Sequence, residues 1–195
     1  ILTPFSHGIT KRIANEDLSS FDYIFCWLGN TDLLVSIIKL IEDKMNLEHD
    51  VSEVGVQIIL LVEDGIRFYS SILPNLYKFV LKQSQEFSTE ALNAHQRTLR
   101  MRGRPKIVLA RTYNEAIGIY EKYKNNILGV ITDVRFPRVE RGEKDALAGI
   151  KLCAAIRKED PFVPLIIQSS ESENVSYAAK YDAAFIRSEE HTSEL

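Results

Sequence analysis

The sequence predicts an α/β protein built on a doubly wound, five-stranded parallel sheet in three layers, incomplete at its C-terminal end. Two observations carry this expectation. From Gln57 onward, short apolar runs alternate with helix-length amphipathic segments, the order that parallel strands and crossover helices require. The runs also lack strict apolar/polar alternation, as strands do when both faces of the sheet are covered.

The five runs are IILLV (58–62), IVLA (107–110), ILGVIT (127–132), PLIIQ (164–168) and AAFI (183–186). Between them, helices are predicted over about 66–82, 113–125 and 145–158. Ala116, Ile117 and Tyr120 share one face of the second, and Ile150, Cys153, Ala154 and Ile156 one face of the third. The connection between the first two runs is long enough for a further helix, an insertion over about 83–104. Ser88 or Thr89 can cap its start, and Gly103 with Pro105 stops it.

Residues 1–48 repeat the end of the same pattern. ILTPF reads as a strand, Asp22 to Trp27 as another, and Thr31 to Asn46 as a closing helix with an apolar stripe of Leu33, Leu34, Ile37, Ile38, Ile41 and Met45. Residues 49–56, with charges, a Ser and Gly55, form the linker to a main domain over 57–186.

Composition narrows the partners. The chain has 195 residues, 45% of them hydrophobic, and a net charge of −3 from 24 basic and 27 acidic side chains. That balance creates no global field to recruit nucleic acid or an anionic membrane. No apolar stretch approaches the roughly 20 residues that cross a bilayer. Cys26 and Cys153 each sit in an apolar run, where a thiol packs as a small hydrophobe, and a reducing cytoplasm fits two isolated cysteines best. Both ends read as cut. The start is apolar with no initiator Met, and RSEEHTSEL (187–195) matches the translation of a sequencing adapter and is read as an artefact, His191 included.

In a doubly wound sheet, function gathers at the carboxyl ends of strands, where the winding reverses. Glu63 and Asp64 follow the first run, Asp133 the third, and Ser169 and Ser170 the fourth. With the flavodoxin-like order 2-1-3-4-5 the first and third strands are neighbours, so three carboxylates share one pocket. Their repulsion calls for a hard divalent cation, and magnesium suits few carboxylates plus a phosphate.

VEDG (62–65), ITDVRFP (131–137) and LIIQSS (165–170) resemble, in the right order, the acidic-pair, phosphoacceptor and hydroxyl motifs of response-regulator receiver (CheY-like) domains. The resemblance covers about 57–186. It implies that Asp133 is the phosphoacceptor, that Asp64 binds Mg2+ directly and Glu63 through water, and that the Arg135 backbone carbonyl completes the ligands. Ser169 would hydrogen-bond the phosphoryl oxygen, and Phe185 stands at the aromatic switch position. It implies as partners a histidine kinase or phosphotransfer protein, and an output domain or partner protein in the same chain or complex. At most, such a regulatory domain catalyses its own phosphorylation.

The departures are specific. The lysine that the family places after the fifth strand falls here near Ser188, the acid pair is Glu-Asp rather than Asp-Asp, and the loop from Arg138 to Ala148 is long and charged. Residues 1–48 resemble the tail of a degenerate receiver, with Thr3 at the hydroxyl position and Cys26 where the lysine is expected. Tandem modules of this look occur ahead of phosphoenolpyruvate synthase-like enzymes, so the chain resembles the regulatory part of such a protein. The competing reading is a non-phosphorylated pseudo-receiver that docks or dimerises a larger enzyme. A flavin or nucleotide enzyme fits poorly, because no Gly-rich phosphate loop follows the first run.

Two further features stay with structural readings. RGRP (102–105) resembles a minor-groove DNA-binding core, but Gly and Pro there are the expected helix stop. His95 reads as a surface histidine.

Overall fold

The computed structural model describes residues 1–4, 21–89 and 103–188. In chain order the elements are β1 (Leu2–Pro4), β2 (Phe25–Trp27), α1 (Asp32–His49), β3 (Ile58–Val62), α2 (Ile66–Thr89), β4 (Lys106–Ala110), α3 (Tyr113–Tyr123), β5 (Ile127–Asp133), β6 (Phe136–Pro137), β7 (Lys144–Asp145), α4 (Ala148–Glu159), β8 (Leu165–Ser169), α5 (Val175–Lys180) and β9 (Ala184–Arg187). His95, most of the expected insertion helix and all but Arg187 and Ser188 of the adapter-like tail lie outside the described residues.

The main sheet has five strands in the order β4-β3-β5-β8-β9. Every pairing is parallel. Numbered within the sheet this is 2-1-3-4-5, the flavodoxin-like order expected for a doubly wound sheet. Each strand covers its run to within one or two residues, because burial rather than turn chemistry sets where these strands lie. Leu60, Val62, Val130 and Ile167 are buried at the centre. Each such side chain contributes about 1.5–3 kcal/mol relative to an exposed one. Tyr120, Leu152, Cys153 and Ile156 from α3 and α4 complete this core.

Local signals explain the helix ends. Thr112 caps α3 by accepting from the Glu115 amide at 3.2 Å, while the Glu115 carboxylate reaches back to the Arg111 amide at 2.7 Å. α4 starts later than periodicity suggests, because Lys144 and Asp145 pair with Pro137 and Phe136 in a short antiparallel hairpin. α2 runs past the expected end at Lys82, since no Gly or Pro follows until residue 103.

The chain divides into two compact units, one of residues 1–42 with 65–101, the other of residues 43–64 with 102–195. In the first, β1 and β2 pair in parallel with Thr3 opposite Cys26. The Thr3 hydroxyl donates to the Phe25 carbonyl at 3.2 Å. α2 holds β2 with polar groups as well as apolar ones. The Ser70 hydroxyl accepts from the Cys26 amide at 3.0 Å, the Tyr69 hydroxyl donates to the Ile24 carbonyl, and the Tyr69 ring meets Phe25 edge-on at 5.8 Å.

The expected apolar stripe of α1 needs correction. Leu33, Ser36, Leu40, Asp43 and Leu47 are its buried positions, whereas Leu34, Ile38, Ile41 and Met45 are exposed. The reading by hydrophobicity failed because the inner face contains a serine and an aspartate. Asp43 is tolerated there by charge pairing within the second unit. Its carboxylate takes both arms of the Arg104 guanidinium, at 2.6 and 3.0 Å, and the Ile107 amide at 3.0 Å. Lys106 stands 3.7 Å from Asp43 and 2.7 Å from Asp50. Arg104 is thereby buried. The arginine of RGRP that leads into the strand is a structural cation, and the helix that Gly103 and Pro105 were expected to stop lies mostly outside the described residues.

Residues 49–56, read as a linker, carry the end of α1 at His49 and one wide helical turn over Asp50–Val54. Gly55 ends that turn with φ of 70°, a left-handed conformation that favours glycine, and its amide donates to the Val51 carbonyl. Among the described residues, no helix is long and apolar enough to cross a membrane.

Candidate functional site

The strand order places the ends of β3 and β5 side by side, with Val62 opposite Thr132. Glu63 and Asp64 leave β3 as Asp133 closes β5, and all three turn toward one point. One oxygen from each of the three carboxylates lies within 4.8 Å of the others. Glu63 is buried and its amide donates to the Ala110 carbonyl at 3.0 Å, which fixes the backbone where the acid pair begins. Such a cluster is held together only at a cost, because like charges at this spacing repel.

Asp64 shows how part of that charge is met. Its Oδ2 lies 2.7 Å from the ammonium of Lys144. Its Oδ1 is buried and takes no hydrogen bond. Sequence reasoning noted the long charged loop after Asp133 but missed Lys144. The available signal was position, since a loop leaving the carboxyl end of β5 is one of the few segments that can reach the pocket.

Asp133 is half-buried, and burial pushes its carboxyl above the ordinary value of 3.8. The backbone amides of Val134 and Arg135 oppose that rise, the Asp64 charge adds to it, and the Lys144 charge lowers it. The Arg135 amide donates to Asp133 Oδ2 at 3.2 Å, while the Arg135 side chain is exposed. On the backbone side, the Thr132 hydroxyl donates to the Asp133 carbonyl at 2.8 Å. Gly149, at the start of α4, packs so closely that a Cβ added there would lie 1.9 Å from the same carbonyl oxygen. That close approach is a second feature the sequence reading missed.

Ser169 ends β8, the strand beside β5, where Asp133 pairs with Gln168. Its hydroxyl oxygen accepts from the Asn174 side-chain amide at 2.9 Å and from the Glu171 amide at 3.2 Å. Phe185 lies on β9 opposite Ile167 and is partly buried against the core. Ser188 stands past the end of β9, and its amide donates to the Ser169 carbonyl at 3.1 Å. The predicted acids are thus gathered in one pocket, with Ser169 on the adjoining strand and Phe185 one strand further out.

Beside Asp64 a cleft of about 330 Å³ is lined by Arg111, Thr112, Glu115, Pro137, Glu140 and Arg141. It lies against the acid pocket and opens to solvent.

Neither a family model nor a curated protein matches the chain. Among solved structures, a response regulator receiver domain protein of Clostridium thermocellum is similar at 21% identity, over 68% of this chain and 82% of that one, with a TM-score of 0.42. The non-phosphorylated HemR receiver domain of Leptospira biflexa is similar at 22% identity, over 71% and 86%, with a TM-score of 0.43. The response regulator TrrA of Thermotoga maritima, in complex with Mg2+ and BeF, is similar at 18% identity, over 71% and 92%, with a TM-score of 0.39. The chain has the doubly wound parallel sheet, and the three solved structures named above are response-regulator proteins.

Proposed function

We propose that the chain carries a phosphoacceptor site in which Asp133 takes a phosphoryl group, and that the new charge switches an interaction surface. The observation that supports this reading is the meeting of Glu63, Asp64 and Asp133, with one oxygen from each within 4.8 Å of the others. The donor set is all oxygen, and Asp64 Oδ1 is buried without a hydrogen bond, so these residues fit a hard cation such as magnesium. Glu63, Asp64 and Asp133 would hold it, with the backbone carbonyl of Arg135. When bound, the ion supplies neutralising charge for the oxygens of a transferring phosphoryl group.

The chain's own residues do the rest. One Asp133 oxygen attacks the phosphorus of a phosphodonor. A bond from that oxygen to phosphorus forms as the bond to the donor's leaving group breaks, and the leaving group departs with the electron pair. The product is an acyl phosphate on Asp133. The amides of Val134 and Arg135 facing this carboxylate favour the ionised form that attacks. Ser169 would donate to a phosphoryl oxygen, exchanging its present geometry with Asn174 and Glu171 for a new one. That exchange would alter the face around β8 and β9, Phe185 included. The donor in this reading is a histidine kinase or phosphotransfer protein. The reader is an output domain or partner protein.

Residues 1–48 are assigned, within the same proposal, to the tail of a second domain of this kind. Two parallel strands followed by a helix support that assignment.

The test is labelling by acetyl phosphate with magnesium. Asp133→Asn should abolish the label, and Asp64→Ala should remove any magnesium-dependent change in NMR shifts. Undiminished labelling of the Asp133→Asn protein would place the nucleophile elsewhere.

A further inference from the structure

Lys144 combines a fixed root with a free-reaching tip. Its backbone belongs to the β6–β7 hairpin, paired with Pro137, and the neighbouring pair joins Asp145 to the fully buried Phe136. Asp145 is clamped in turn, its carboxylate 2.6 Å from the Lys151 ammonium and 3.1 Å from the Leu147 amide. The hairpin therefore has anchors that do not depend on where the Lys144 ammonium goes. The side chain itself is half exposed, and its ammonium lies 2.7 Å from Asp64 Oδ2.

Asp64 is also one of the three carboxylates that gather at the pocket. An ammonium in contact with one of its oxygens and a divalent ion drawn to the same carboxylate repel each other. A half-exposed ion pair is weak, so the lysine can yield at little cost. Its flexible four-carbon stem then allows the ammonium to swing while the hairpin stays in place.

We propose that Lys144 is the resident counter-cation of the acid pocket, exchanging with a divalent ion for Asp64 and, once displaced, pairing with a phosphoryl oxygen carried by Asp133. The inference rests on the reading of Glu63, Asp64 and Asp133 as a metal and phosphoacceptor site. It adds a residue on an inserted hairpin, with two opposed effects. Lys144 hinders entry of the metal and helps retention of the anion.

The experiment uses the full chain, with Lys144→Gln and Lys144→Arg beside it. Magnesium alone is titrated by calorimetry, and beryllofluoride with saturating magnesium is followed by NMR. Loss of the charge in Lys144→Gln should tighten magnesium by about fivefold, the scale of one partly exposed ion pair. It should also weaken beryllofluoride by at least as much. Lys144→Arg should keep the wild-type order in both titrations, which a purely structural role for the lysine stem would not require. Equal magnesium affinity in wild type and Lys144→Gln, or unchanged beryllofluoride binding, would overturn the proposal and leave the metal site standing. Absence of magnesium binding from all three proteins would overturn the site itself and this inference with it.

Discussion

Gly149 and Asp133 are in backbone contact so close that a single added carbon at Gly149 would sit 1.9 Å from the Asp133 carbonyl oxygen. The glycine is thus what allows α4 to begin directly behind the candidate nucleophile. In an exposed helix, Gly→Ala gains about 1 kcal/mol. Here the obstacle is backbone, which cannot rotate away.

The first prediction follows. Gly149→Ala should lose about 1–3 kcal/mol, the usual cost of overpacking. Urea unfolding measures it, and NMR shifts should move first at Thr132 to Val134. A variant as stable as wild type would mean that α4 slides without strain.

The second concerns pH. Burial raises the Asp133 carboxyl above 3.8, so the folded state holds that proton more tightly than the unfolded chain does. Between the unfolded value and the raised folded value, the native state binds more protons, and stability falls as pH increases through that window. Above it, ionised Asp133 carries a constant penalty. Asp133→Asn should remove this contribution, so its stability advantage over wild type should grow with pH across the window and then level off. A difference independent of pH in urea titrations would contradict this.

The third addresses the buried charges. Arg104→Met takes the two-armed partner from the enclosed Asp43 carboxylate and leaves it Lys106 at 3.7 Å and the Ile107 amide, which should cost about 3 kcal/mol, the low end of the range for breaking a buried pair from one side. Asp43→Leu combined with Arg104→Met should cost clearly less than the two single changes added together. A double-mutant cycle with no coupling would show that the pair is incidental.

The fourth is chemical. Burial pushes the Cys153 thiol up to about 12 and raises Cys26 as well. Both are buried and free. A thiol reagent at pH 8 should leave the native chain unmodified on the timescale of an exposed cysteine and label both residues after unfolding. Rapid native labelling would reveal local opening of β2 or α4.

What the sequence made legible is what short-range pattern encodes. Apolar runs located all five strands of the main sheet, and the strand-end rule singled out Glu63, Asp64 and Asp133, which the fold brings together within 4.8 Å. What it hid depends on partners far apart in the chain. Asp43 looks like a solvent residue until Arg104, 61 positions later, arrives to pair with it. For the same reason the α1 stripe was drawn through Ile38 and Met45, which are exposed, instead of through Ser36 and Asp43. For Lys144 the chain showed only a position in the loop after β5, because its meaning comes from the reach of a hairpin to Asp64.

The Asp43 network also decides where this chain can be cut. A fragment that begins at residue 57, where the apolar runs start, would keep Arg104 and Lys106 but discard both of their acidic partners, Asp43 and Asp50. Two cations would then be enclosed without the carboxylates that pair with them, at the edge of the sheet where β4 begins. Such a fragment should express poorly or refold with β4 frayed. One that begins ahead of Asp43 is longer but retains both counterions and, for that reason, is the better piece to isolate.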